Sequence, residues 1–597
     1  MHAKTPGVRS LSLCLVALLW ACGGEAPSGA ASVPERSAGA AAAGVADLVL
    51  TGGNIYTFSW PEPARDGTPS PEAPRSAGGW QGDAEAIAFR GGRILAVGRA
   101  EALAAHLGPD TEVVDLAGAT VVPGLVDSHT HLFELGAALS RVPLFDVATE
   151  EEAVARVLAR AAETPPGEWI VGQGWDEGAW ADHYPDKQLL SDALPDHPVF
   201  LRGLHGFAGW VNQRALDEMG IDGTTPSPSG GEIRKGADGE PTGLFLNRAV
   251  PLLDAAIPPP TLAQRKAQVV AAMRQMAADG YVTVHEAGTD AESVEALQAL
   301  AAEDALPIRF YAMLSLRDPE LMRAWIDRGP QMEMDHRLVV RAVKGYYDGS
   351  LGARGAQLLE DYSDRPGNRG VAGAEYGFDQ ALAEEAMGRG FQLAIHAIGD
   401  AANRATLDFY EQVHARDPAT RAGRHRIEHA QVVSPADVPR FGALGVIASM
   451  EPPHAVEDKG WAEERLGADR ILGAYAWRSL RSAGARLTFN ADNPGSDHDI
   501  FYGLHAAITR RDKALQPEGG WYAEQALTGE ETLRAYTGWS AYAAFMEQDS
   551  GVLAPGRWAD VTVMDIDPLA LAETDPGAIL DGRILMTIVD GEIVYRR

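Results

Sequence analysis

Cysteine is almost missing from this chain. Of 597 residues only Cys14 and Cys22 are cysteine, both within the first two dozen positions. Everything beyond residue 22 therefore lacks a disulfide, a thiolate nucleophile and a cysteine-based zinc or iron–sulfur site. Any metal must be held by histidine, carboxylate or a modified side chain. Positive charge is scarce as well: 51 Lys and Arg stand against 83 Asp and Glu, a formal net charge of −32. That balance argues against nucleic-acid phosphates as partners. No apolar run after residue 21 is long enough to read as a transmembrane helix. Apolar residues themselves are plentiful, at 46%. Global disorder is thereby excluded, and the length suits one large α/β domain with a smaller companion.

His2, Lys4 and Arg9 precede an apolar stretch, residues 11–21, which is too short to span a bilayer. It ends Leu19-Trp20-Ala21-Cys22. This resembles the lipobox of bacterial lipoproteins, in which the cysteine is lipidated and becomes the mature N-terminus. Ordinary signal cleavage slightly further on is the alternative. Residues 1–22 are thus expected to be a lipoprotein signal peptide, with lipidation at Cys22 and a membrane anchor there. Residues 23–45, rich in Ala, Gly, Ser and Pro, are expected to be a flexible tether. The expected location is the cell envelope after export. Gly23 follows Cys22 where an aspartate is associated with inner-membrane retention, which favours the outer membrane.

Short β-like runs with Gly-Gly punctuation begin near Asp47, and a matching set returns after residue 559. Neither set makes a stable sheet alone. One β-sandwich domain built from residues 46–122 and 550–597 is the economical reading. Between them, strand-like runs at 121–128, 282–286, 308–314, 338–344, 392–397, 425–430, 445–450 and 486–491 alternate with helix-compatible sequence. Alternation predicts a parallel sheet, and a count of eight predicts a closed (β/α)8 barrel of the TIM type over residues 123–549. The gap at about 137–259 is too long for a loop and carries strand-like pieces of its own, so it is expected to be a subdomain inserted over the barrel mouth.

Such barrels place their reactive groups at the C-terminal ends of the strands. The first strand ends Asp127-Ser128-His129-Thr130-His131. Residues two apart in extended chain point to one side, so both imidazoles can face one ion. Lys344, His396, His429 and Asp492 follow at or just beyond four further strand ends. A histidine pair alone is weak evidence; the whole set, one residue type per strand end, is strong.

Here the chain resembles the metal-dependent amidohydrolase superfamily, and within it amidohydrolase family 3, the group that includes N-substituted formamide deformylase. The resemblance runs from Asp47 to the end. It rests on Pro123-Gly124-Leu125-Val126-Asp127-Ser128-His129-Thr130-His131, on Lys344 with Asp348-Gly349-Ser350-Leu351-Gly352, on His396-Ala397-Ile398-Gly399-Asp400, on Arg426-Ile427-Glu428-His429-Ala430-Gln431, and on Gly556-Arg557-Trp558-Ala559-Asp560. It implies one or two divalent ions, zinc by expectation. His129, His131 and Asp492 would bind the more buried ion and His396 and His429 the second, with Lys344 bridging them as its carbamate. A hydroxide between the ions is the implied nucleophile and Asp492 the implied proton carrier. The implied reaction is hydrolysis of an amide-type C–N bond in a small molecule. A lysine paired with Asp348 beside a one-metal site is the rival for Lys344, and core histidines are the rival for His396 and His429.

His454, in Glu451-Pro452-Pro453-His454, is expected either to contact substrate or to be a solvated loop histidine. Asp348 and Trp175 complete the expected substrate-binding set. Trp175, Trp180 and Phe207 suggest an apolar pocket wall, or else the insert's own small core. His285, ending the second strand, is read as structural or as lying just behind the metal ligands, and is left out of the metal set. Two departures bear on substrate: the family usually has Gln where this chain has Glu451, and often His where this chain has Phe207. The same hydroxide could cleave a cyclic amide, carbamate or ester, and a non-catalytic surface binding lipoprotein is the rival from another class.

Overall fold

The computed structural model describes residues 44–176, 184–333 and 337–597. The expectations for the signal peptide, Cys22, tether residues 23–43 and Trp180 lie outside the described residues. Eight strands run parallel, each hydrogen-bonded to the next: β1 (Leu125–Thr130), β2 (Tyr281–Thr289), β3 (Arg309–Ser315), β4 (Leu338–Tyr346), β5 (Gln392–Ala397), β6 (Arg426–His429), β7 (Ile447–Met450) and β8 (Arg486–Phe489). A parallel bridge from Thr130 to Asn493 all but closes the ring. Almost every residue of these strands is buried, which is why they read as continuous apolar runs rather than alternating ones. Helices such as Leu262–Ala278, opened by a Thr261–Gln264 capping box, cover the outside.

The run at 121–128, expected as one strand, divides at Gly124. Thr120–Pro123 pairs antiparallel with Val561–Met564 in a second sheet, and only Leu125–Thr130 enters the barrel. A Cβ at Gly124 would lie 2.3 Å from the Val282 side chain, so glycine permits the crossing from one sheet to the other.

That second sheet has five strands, in the order Asn54–Ile55, Thr120–Pro123, Val561–Met564, Ile584–Val589, Glu592–Arg596. A four-stranded sheet contains Leu48–Thr51, Ala86–Arg90, Arg93–Gly98 and Glu112–Asp115. Leu48, Leu50, Ile87 and Phe89 of the one share an apolar core with Val121, Val561, Val563 and Ile588 of the other. The segment between β1 and β2 forms a separate six-stranded sheet with its own core, including Leu144, Trp175, Leu201 and Trp210. Among the described residues no helix is long and apolar enough to cross a membrane.

Candidate functional site

The end of β1 is held before any ligand is considered. Asp127 Oδ1 accepts the His129 backbone N–H at 3.0 Å, and the His131 N–H donates to the Asn493 carbonyl at 2.7 Å. Asp492 lies three residues past β8. Its Oδ1 is 3.2 Å from His131 Nε2 and 3.4 Å from His129 Nε2. That oxygen is buried with no hydrogen-bond partner. Asp492 (φ 49°) and His429 at the end of β6 (φ 72°) both adopt the left-handed region without being glycine. Such backbone is costly and collects at functional sites, where it re-aims a side chain. The His396 ring stands edge-on to His429, centroids 4.5 Å apart, and its Nε2 is also buried without a partner. Lys344 is fully buried, with Nζ 2.9 Å from His129 Nε2.

One cavity of about 370 Å³ collects this set. His131, Lys344, His396, His429, His454 and Asp492 line it, with Tyr346, Leu351, Ile398 and Trp461 as apolar wall. Two donor groups have atoms mutually within 4.8 Å: His129, His131 and Asp492, and His429, His454 and Asp492. These nitrogen and carboxylate donors suit zinc or a similar divalent ion, and the orphaned Asp492 Oδ1 is where a cation would satisfy them.

The electrostatics follow burial first. Desolvation pulls the Lys344 ammonium down to about 8, against the opposing pull of Glu428, Asp492 and Glu451. Burial would raise the Asp492 carboxyl, but His129, His131 and the neighbouring imidazoles hold it well below the usual carboxylate range. Glu451 behaves likewise beside His429 and His454, falling to about 2.

Several expectations need correction. Asp348 does not reach the cavity. It is fully buried, and its carboxylate accepts backbone N–H groups from Gln357, Ile398 and Gly399 at 2.8, 2.9 and 2.9 Å. It is a staple for the loop after β4, and with its oxygens so engaged it is not the partner of Lys344. Trp175 is not a substrate wall either: it is fully buried, donates from Nε1 to the Leu201 carbonyl and packs edge-on against Trp210 inside the inserted sheet. Phe207 is 66% exposed, and no described residue between 137 and 259 lines the cavity. His454 is not a solvated loop residue; it sits on the short helix Pro452–Glu457 and faces the cavity. His285 lies deeper, beside Tyr311, its Nδ1 3.2 Å from Arg426 Nη1.

Sequence alone gives no role to two buried carboxylates. Glu428 Oε2 lies 2.5 Å from His129 Nδ1, and Glu451 Oε2 lies 3.1 Å from His429 Nδ1 and 3.6 Å from His454 Nδ1. The sequence signal for Glu428 is Arg426 two residues before it in a strand-like run, a spacing that sets both side chains on one side.

The chain is similar to known proteins along most of its length. The sequence profile of the amidohydrolase family matches residues 112–595. The amidohydrolase YtcJ of Bacillus subtilis is 31% identical, over 86% of this chain and 96% of its own. The N-substituted formamide deformylase of Arthrobacter pascens is 29% identical, over 86% and 95%. The crystal structure of an uncharacterized metal-dependent hydrolase from Pyrococcus horikoshii superposes with a TM-score of 0.65 at 27% identity, covering 88% of this chain and 99% of that one. With the strand ends, the donor set and these likenesses in agreement, the chain belongs to the amidohydrolase family.

Proposed function

We propose that this chain is an exported metal-dependent hydrolase of an amide-type C–N bond other than a peptide bond, with an N-acyl or N-formyl amine as substrate. The observation that carries the reading is Asp492 Oδ1, buried and unpartnered between the Nε2 atoms of His129 and His131. His129, His131 and Asp492 would hold one divalent ion, and His396 and His429 a second, with Lys344 between them as a carbamate. When bound, the metal supplies a water that ionises near neutral pH and a Lewis acid for the carbonyl oxygen. The rest falls to the chain's own groups. Asp492 takes a proton from the attacking water and returns it to the departing nitrogen. Trp461, Leu351 and Ile398, which line the cavity, offer an apolar wall for the substituent. The name of the Arthrobacter relative supports testing N-formyl amines first.

The test is turnover by purified protein of known metal content on N-formyl amines, N-acyl amines, cyclic amides, carbamates and esters. Expected are bound metal, hydrolysis of an N-formyl or N-acyl amine, and loss of activity on chelation. Hydrolysis confined to the other classes would move the substrate assignment. Metal-loaded protein inert toward all of them would favour a binding protein.

The export reading rests on the apolar run and Cys22. Cys22→Ser should abolish labelling by a fatty-acid probe and release the protein from membranes. Unchanged membrane association would end the lipoprotein reading.

A further inference from the structure

Behind the cavity three buried residues, Arg426, Glu428 and His129, form a line of which only His129 belongs to the proposed ligand set. Arg426 and Glu428 are two apart on β6, so both side chains project to the same side of the strand. Arg426 is anchored independently of Glu428: Nη2 donates to the Ser128 carbonyl at 2.5 Å and to Ser449 Oγ at 3.0 Å. The same guanidinium grips Glu428, Nε to Oε1 at 2.7 Å and Nη2 to Oε2 at 3.0 Å. Glu428 Oε2 then meets His129 Nδ1 at 2.5 Å. All three side chains are fully buried.

We propose that Glu428, clamped by Arg426, is a positioning residue that fixes the tautomer and ring orientation of His129 for metal binding. A neutral imidazole carries one N–H, and its partners decide which nitrogen bears it. A carboxylate held ionised by a guanidinium can only accept, so the proton stays on Nδ1 and the lone pair is left on Nε2. At its other end Nε2 faces the proposed metal position, with Lys344 Nζ at 2.9 Å and Asp492 Oδ1 at 3.4 Å. Turning the ring over would set a carbon against the carboxylate. The inference rests on the metal-centre reading above and goes beyond it by assigning work to two residues outside the ligand set. Carboxylates behind metal-binding histidines typically tune affinity by about 10- to 100-fold.

The experiment uses full-length Glu428→Gln, with zinc affinity measured by chelator competition, the absorption spectrum of the cobalt(II) form, and thermal unfolding of the metal-free protein. The expected result is a folded protein that binds zinc about 10- to 100-fold more weakly, with an altered cobalt spectrum. Because this variant leaves a buried guanidinium uncompensated, the double variant Arg426→Met/Glu428→Gln is measured beside it. Wild-type zinc affinity in either folded variant would overturn the proposal. If neither folds, ¹⁵N imidazole shifts of His129 in the metal-free wild type decide: a proton on Nδ1 supports the proposal and one on Nε2 overturns it. Failure of the metal-centre reading would look different, since the wild-type protein itself would then bind no zinc.

Discussion

Lys344 Nζ and His129 Nε2 are 2.9 Å apart, both buried at the mouth of the barrel. An ammonium there opposes a divalent cation, and burial already pulls it down to about 8. A neutral amine can take up carbon dioxide and become an anionic carbamate, which reverses the charge at the same place. Lys344→Ala should therefore hold one ion or fewer per chain and lose about 100-fold or more of turnover, the scale of a lost metal-ordering group. Acetate or bicarbonate should restore part of it. Two ions and full turnover in the variant would make Lys344 structural and leave the centre to His129, His131 and Asp492.

Asp348 gives a prediction of the opposite kind. Its carboxylate accepts three backbone N–H groups around the loop after β4. Asp348→Asn replaces an acceptor oxygen with a donor, turned toward groups that can only donate. Stability should fall by about 2 kcal/mol, read from denaturant unfolding, with KM nearly unchanged. Unchanged stability with a raised KM would return Asp348 to the substrate site.

Asp560 ties the terminal sheet to the barrel. Arg309 at the start of β3 donates to it twice, at 2.7 and 3.0 Å, while Trp558 lies 3.7 Å beneath the guanidinium. Asp590 also pairs with the Arg309 guanidinium, so Asp560→Asn leaves the charge one carboxylate and should cost less than the roughly 3–5 kcal/mol of a fully stranded buried charge. Metal content per folded chain should not change. A variant as stable as wild type would show that Trp558 and Asp590 suffice to hold Arg309.

His425 should make stability fall in acid. It is buried against Tyr410 and His414, accepts the Leu393 N–H on Nδ1 and faces the Thr420 carbonyl with Nε2. Burial, then the neighbouring His414, lowers its pKa from 6.5 to about 3. The unfolded chain thus binds this proton more readily. The contribution is complete above pH 6.5 and is lost as pH falls toward 3, at about 1.4 kcal/mol per unit. Calorimetry on metal-free protein should give His425→Gln a lower Tm at pH 7 and a shallower decline toward pH 4. Parallel declines in the two proteins would remove His425 as the cause.

The barrel was legible because its strands are buried on both faces and alternate with amphipathic helices, a pattern carried by each segment alone. His129, His131, Lys344, His396, His429 and Asp492 were legible for a related reason. Each sits at or just past a strand end, and a parallel barrel brings those ends together whatever the helices contain. Glu428 was in plain view beside His429 yet without a role, because its partner is His129, 299 positions away. The role of Asp348 is not legible in sequence, because its oxygens accept backbone N–H groups, which no side-chain motif announces. The place of Trp175 is not legible either, because an apolar wall and an apolar core have the same composition.

By itself the sequence determined the fold class, the family and the residue types gathered at the mouth, since periodicity and strand-end position are local properties. Tertiary structure alone decided which carboxylate backs which histidine, that His454 joins His429 and Asp492, that Gly124 carries the chain from one sheet to the next, and that Asp348 serves the backbone. Those are distances of a few ångströms between residues far apart in the chain. They depend on how the strands close around a common axis, and no stretch of sequence encodes that separately.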